Sequence, residues 1–262
     1  MTRKSSKRIW GIDVTERDFI LVLEDVVGGY GKMTILNGTT AKIRRAAITT
    51  VIGPNGAGKS TIFKTVFGLL NARSGRILFD GRETTNHTPR QMLDAGVCYV
   101  PQGRNIFPEL SVRHNLELGG VALSNQSGLK SRIEEMMKRF PMLAQKANAQ
   151  ASTLSGGQQK MLEVARGLLL DPKLILIDEP SIGLSPLLVA EVFTILKTLR
   201  DRGVTILLIE QNAKQALQIS DYGLVVEQGQ TRIEGTANDI LSDPRIAQLF
   251  LGGGLQPVAG TA

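Results

Sequence analysis

Apolar and polar positions along the chain alternate between two kinds of segment. Short apolar runs recur at Asp18 to Val27, Ile48-Thr49-Thr50-Val51-Ile52, Arg76 to Phe79, Val97 to Val100, Leu174 to Ile177 and Val204 to Ile209. Runs of this length, bounded by glycine, proline or charge, predict strands. Where they are apolar on both faces they predict buried parallel strands. Other segments carry a helical period. Ile62, Val66, Leu69 and Leu70 share one face of a helix predicted from Lys59 to Leu70. Pro89 to Ala95 predicts a short helix, Leu162, Ala165 and Leu169 mark one running through Leu170, and Ala213 to Ile219 marks another.

From Gln102 to about Thr153 the pattern turns helical, with Ile133, Met136, Met137 and Phe140 on one face ended by Pro141. Such a methionine-bearing stripe is either core or, in part, an adaptable docking surface. Gly28-Gly29-Tyr30-Gly31 predicts a turn. Gly223 to Glu227 and Thr231 to Glu234 predict a hairpin about Gln228-Gly229-Gln230.

The length of 262 residues allows one large α/β domain with a subdomain. Hydrophobic content of 42% and charged content of 21% are ordinary for a soluble globular protein. No apolar run approaches the ~18 residues of a membrane-spanning helix. Arg3, Lys4, Lys7 and Arg8 precede no apolar stretch, so the start is not a secretory signal. Net charge is +7. The basic start reads as a solvated arm over residues 1–18, because no aromatic residues interleave the charges for base stacking. A single cysteine, Cys98, excludes an internal disulfide and reads as a small buried residue. Residues 246–262 read as a glycine-bearing flexible tail, no internal repeat is found, and a cytoplasmic protein is expected.

The chemistry concentrates at Gly53-Pro54-Asn55-Gly56-Ala57-Gly58-Lys59-Ser60, which fits G-x-x-x-x-G-K-[ST] at every fixed position. A triphosphate needs many converging backbone N–H donors. Gly53, Gly56 and Gly58 let the chain curl against its oxygens. Lys59 supplies a point charge for the β/γ-phosphates, the Ser60 hydroxyl suits Mg²⁺, and Thr61 follows at the start of the helix. Leu154-Ser155-Gly156-Gly157-Gln158-Gln159 opens a second helix with small and polar residues, another anion site. Leu174 to Ile177 ends in two carboxylates, Asp178 and Glu179, where functional acids emerge from parallel strands. Tyr30 either stacks on a nucleobase or packs over its turn.

These motifs together resemble the nucleotide-binding subunit of an ATP-binding cassette (ABC) transporter, over about Leu21 to Asn238. Gly53 to Ser60 resembles Walker A, Leu154 to Gln158 the signature motif, Leu174 to Glu179 Walker B, Gln102 the Q-loop glutamine and Tyr30 the adenine-stacking aromatic. The resemblance implies a P-loop NTPase core with a helical subdomain at about 103–158 and an N-terminal antiparallel β subdomain, all within residues 19–245. It implies ATP and Mg²⁺ as ligands, with Asp178 and Ser60 organising the ion and Glu179 activating water. Gln102 would link the γ-phosphate and Mg²⁺ to the helical subdomain. Ser155, Gly156, Gly157 and Gln158 would complete the site of a second cassette, paralogous or identical, in a head-to-tail pair.

Two positions depart from the family. Gln211 stands at the switch-histidine position, whereas His87 and His114 read as surface residues. Ser185 stands where an aspartate is usual. Together Ile209-Glu210-Gln211-Asn212, Glu179 to Pro186 and Tyr99 to Arg104 resemble the smaller ATPase of bacterial branched-chain amino acid importers. That implies two permease subunits, an indirect periplasmic binding protein, and a peripheral location on the cytoplasmic face of the inner membrane. Alternatives are a urea or short-amide importer ATPase and, from another class, a soluble ABC ATPase acting on nucleic acid or ribosomes. No nucleic-acid partner is expected.

Overall fold

The structure, a computed structural model, describes residues 7–9, 12–14, 16–103, 105–122 and 127–246. In chain order it builds β1 (Lys7–Ile9), β2 (Ile12–Val14), β3 (Phe19–Tyr30), β4 (Met33–Arg44), β5 (Ile48–Ile52), α1 (Lys59–Val66), β6 (Ala72–Phe79), β7 (Arg82–Glu83), α2 (Pro89–Ala95) and β8 (Val97–Val100). Three helices follow, α3 (Val112–Gly119), α4 (Leu129–Arg139) and α5 (Pro141–Gln145), then α6 (Gly156–Leu168) and β9 (Leu174–Asp178). The last elements are α7 (Pro186–Asp201), β10 (Thr205–Ile209), α8 (Ala213–Ile219), β11 (Tyr222–Glu227), β12 (Gln230–Thr236) and α9 (Ala237–Ser242).

The larger sheet orders its strands β12-β11-β5-β10-β9-β8. All its pairings are parallel except the edge hairpin of β11 and β12. The smaller sheet, β4-β3-β6-β7, is antiparallel. Strand β9 shows why the apolar runs are continuous. Leu174 and Leu176 enter a core shared with α1 and the antiparallel sheet, whereas Ile175 and Ile177 enter one shared with α3 to α7. A strand buried on both faces has no polar face to alternate with. A smaller cluster packs α8 and α9 on β11.

Several expectations are revised. Gly28, Gly29 and Tyr30 belong to β3, and the turn falls at Gly31-Lys32. Helix α1 stops at Val66 rather than Leu70. Gly68 adopts φ 82, and a Cβ there would sit 2.0 Å from the His87 carbonyl oxygen. The Leu69 N–H donates back to the Lys64 carbonyl at 2.8 Å, a glycine-terminated helix end. Leu69 is consequently 52% exposed. Ile133, Met136, Met137 and Phe140 are all buried in one core, which excludes them as a docking surface. Cys98 is buried, as the sequence predicts, and burial pushes its thiol up to about 12. His114 is exposed, but His87 is half-buried with Nδ1 enclosed and lacking a hydrogen-bond partner. In the arm expected to lack order, β1 and β2 pair antiparallel and a 3-10 turn spans Glu16–Asp18. Of the tail, only Ile246 lies within the described residues, and it is buried.

Candidate functional site

Strand β5 ends at Ile52 and α1 begins at Lys59, so the glycine-rich loop bridges a central strand and a helix N-terminus. A Cβ on Gly53 would lie 2.0 Å from the Val226 carbonyl oxygen, so only glycine fits where the loop leaves the sheet. Gly58, left-handed at φ 101, precedes α1, and no side chain caps that helix. Its first amide N–H groups remain available to an anion. Lys59 Nζ donates to the carbonyls of Gly53 at 2.8 Å and Pro54 at 3.0 Å. Burial lowers the Lys59 pKa, opposed by the negative charges of Glu179 and Asp178.

Asp178 ends β9 and is 2% exposed. It accepts hydrogen bonds from the Ser60 hydroxyl at 3.3 Å and the Tyr99 hydroxyl at 3.2 Å. Desolvation pushes its carboxyl above the usual range, and those two donors oppose the shift. Glu179 follows in left-handed backbone at φ 48. That conformation costs a non-glycine residue roughly 1–3 kcal/mol, and local contacts must hold it. Its N–H donates to the Ile209 carbonyl at 2.9 Å, and its Oε2 accepts from Gln102 Nε2 at 2.7 Å. Burial first, then the Asp178 charge, raises the Glu179 pKa.

These groups border one cleft of about 490 Å³, lined by Tyr30, Ile35, Asn55 to Thr61, Gln102, Glu179, Ile182 and Gln211. The volume lies within the range of small-molecule sites. Tyr30 is 43% exposed, and its hydroxyl accepts from Lys64 Nζ at 3.2 Å. The structure therefore brings together Tyr30, Asn55 to Thr61, Gln102, Glu179 and Gln211. Gly53 and Pro54 stand outside the lining and accept from Lys59, and Asp178 is bonded to Ser60.

Ser155, Gly156, Gly157 and Gln158 do not line this cleft. They open α6, where the Ser155 hydroxyl accepts from the Gln158 N–H at 3.3 Å and Gln158 Oε1 accepts from the Ser155 N–H at 3.1 Å. This reciprocal capping box is worth about 0.5–2 kcal/mol. A Cβ on Gly157 would meet Leu188 at 2.9 Å, so the second glycine admits α7. Ser185 precedes Pro186 as the residue before α7 and makes no capping bond. Residues not anticipated are Tyr99, which donates to Asp178, Ile35 in the cleft wall, and Glu210. The signal for Glu210 was present: an acid directly after the wholly buried strand β10 must find donors.

A phosphate-binding loop between a parallel strand and a helix, with two acids at the end of β9, one strand beyond the neighbouring β10, defines a nucleoside-triphosphate hydrolase of the cassette type. Residues 36–182 match the ABC transporter family, and the chain belongs to it. It is an ATPase whose hydrolysis is coupled to transport. The chain is 36% identical over 234 residues to the high-affinity branched-chain amino acid transport ATP-binding protein BraG of Pseudomonas aeruginosa, covering 89% of this chain and 100% of that one. It is 37% identical over 225 residues to the probable branched-chain amino acid transport ATP-binding protein LivF of Archaeoglobus fulgidus, covering 86% of this chain and 95% of that one. A crystal structure of the ADP conformation of an ATP-binding cassette of an ABC transporter superposes with a TM-score of 0.80 at 30% identity, covering 89% of this chain and 99% of that one.

Proposed function

We propose that this chain hydrolyses ATP with Mg²⁺ to energise a membrane importer of branched-chain or other amino acids. The observation that carries the reading is the meeting of Lys59, Ser60, Gln102, Glu179 and Gln211 at one cleft. The donor set suits Mg²⁺. The Ser60 hydroxyl and Asp178 carboxylate offer hard oxygens, and the described residues contain no group of three or more His, Cys, Asp or Glu that could cage an ion. That is the pattern for an ion completing its shell with phosphates and water. When bound, Mg²⁺ neutralises charge on the phosphate oxygens.

In this reading the loop N–H groups and Lys59 hold the phosphates, and Glu179 takes a proton from the attacking water. Gln102 and Gln211 offer neutral amides at the γ-phosphate end. The place of Ser155, Gly156 and Gly157 outside the cleft supports a role in completing the site of a second cassette, paralogous or identical. The names of the relatives support amino-acid transport. The same proposal includes two permease subunits at the cytoplasmic face of the membrane, with a periplasmic binding protein acting indirectly. No helix among the described residues is long and apolar enough to cross a membrane.

Tyr30 serves as the base-stacking platform. Tyr30→Phe is expected to bind ATP nearly as the parent does, whereas Tyr30→Ala weakens binding by about 1–3 kcal/mol. Equal affinity for the alanine variant in a nucleotide titration leaves Tyr30 only its contact with Lys64.

Gln211 implies unequal sites. A glutamine amide cannot become a cation as histidine can, so it stabilises developing phosphate charge less well. The chain alone therefore hydrolyses ATP slowly. Reconstitution with its permease subunits and paralogous cassette tests both halves of the reading. Leucine, with its binding protein, is expected to stimulate ATPase activity where urea does not. Disabling Glu179 is expected to leave substantial activity, and disabling the partner's corresponding glutamate to remove nearly all. Stimulation by urea alone overturns the amino-acid assignment, and equal losses overturn the asymmetry.

A further inference from the structure

Glu210 is 2% exposed, directly follows β10 and does not line the cleft. Among the described residues it has no ion pair, yet all its hydrogen-bond donors come from the neighbourhood of the reacting groups. Its Oε1 accepts from the Ser181 N–H at 2.9 Å. Its Oε2 accepts from the Ser181 hydroxyl at 2.7 Å and from the Gln211 N–H at 3.2 Å. Ser181 stands just beyond Glu179 and Pro180, and Gln211 is the next residue in the chain. Glu179 is thus fastened on both sides to the end of β10. Its own N–H donates to Ile209, and the segment after it is tied to Glu210. Pro180 is buried and has no N–H, so the next available backbone donor is that of Ser181.

We propose that Glu210 is a positioning residue for hydrolysis, whose carboxylate clamps Ser181 to Gln211 and so fixes Glu179 and Gln211 relative to each other across the γ-phosphate end of the cleft. The proposal rests on the reading of Glu179 as the group that activates water. The ionised form is needed for the number of acceptors. A carboxylate accepts at both oxygens, whereas a carboxamide of the same shape turns an NH₂ donor toward one of the donors it must satisfy. Substitution by glutamine therefore preserves volume and breaks one arm of the clamp. The left-handed backbone of Glu179 then loses part of what holds it.

The test uses the full chain in single-turnover ATP cleavage at saturating nucleotide, with ATP affinity and unfolding temperature measured alongside. Glu210→Gln is expected to slow cleavage by about 10- to 100-fold, the scale of a hydrogen bond to a charged group. ATP affinity is expected to stay within about threefold, a loss confined to the chemical step. Ser181→Ala removes one of the three bonds and slows cleavage less, and Ser181→Thr keeps the hydroxyl and the rate. The double variant Glu210→Gln/Ser181→Ala is expected to be no slower than Glu210→Gln alone, because the two residues form one clamp. If Glu210→Gln does not fold, Ser181→Ala with a parental rate overturns the proposal. A Glu210→Gln protein that cleaves at the parental rate per folded chain overturns it too. Glu179→Gln separates the two readings: a parental rate there removes the role of Glu179 and the clamp with it. Slow Glu179→Gln beside fast Glu210→Gln removes the clamp alone.

Discussion

Glu179→Gln is expected to slow ATP cleavage by the chain alone about 10²–10⁴-fold while leaving ATP binding close to the parental level. The carboxylate reaches the cleft from the end of β9, where Gln102 Nε2 donates to it and no Lys or Arg pairs with it among the described residues. Its environment suits a base. Burial and the Asp178 charge raise its pKa, bringing it nearer the operating pH than an ordinary glutamate. The amide keeps the shape and can still bond to Gln102 through its oxygen, but it cannot take a proton. The raised pKa also sets the direction of the pH dependence. Turnover requires the ionised form, so activity falls on the acid side at a higher pH than an unperturbed glutamate gives. Single-turnover cleavage and nucleotide titration check both points. A rate near that of the parent, or an acid limb at the ordinary glutamate position, removes Glu179 from this role.

Lys59→Ala is expected to act on binding instead, weakening ATP by about 2–5 kcal/mol, the scale for removing one partner of a desolvated charge pair. Lys59 is buried at the start of α1, and its ammonium reaches the loop carbonyls of Gly53 and Pro54. Desolvation disfavours its charge, and Asp178 and Glu179 sustain it. Without it the phosphate loop contributes no side-chain cation to offset those two carboxylates against a triphosphate. Lys59→Arg is not a conservative control, because a planar fork does not fit the slot of a point charge. Nucleotide titration decides the matter, and an alanine variant within about threefold of the parent sinks the assignment.

The parts legible in the sequence were those whose cause is local. The loop from Gly53 to Ser60 is written in one contiguous spacing of glycines, lysine and serine. Strands β9 and β10 announce themselves as apolar runs because both faces are buried. The Ser155 to Gln158 box follows the S-x-x-Q spacing, so its capping bonds were available to a reader looking for a helix start. What escaped depends on distant partners. The end of α1 is set by the close approach of Gly68 to His87. Gly28 and Gly29 have turn chemistry, yet pairing with β4 and β6 holds Gly28 in the sheet. The bonds from Ser181 to Glu210 join positions 29 residues apart, and nothing in either segment alone requires them.

The turn of the β11–β12 hairpin lies against the phosphate loop. The Gly229 N–H donates to the Ala57 carbonyl at 2.9 Å, its carbonyl accepts from Asn37, and Val226 abuts Gly53. Residues near the end of the described chain thus form the floor of a loop encoded in its first quarter. The cassette consequently has no minimal nucleotide-binding fragment. A piece ending at residue 182, where the family match stops, carries every residue of the loop but lacks the hairpin turn that supports it. Anyone splitting this chain into complementing halves, or inserting a reporter between β11 and β12, is cutting into the nucleotide site itself.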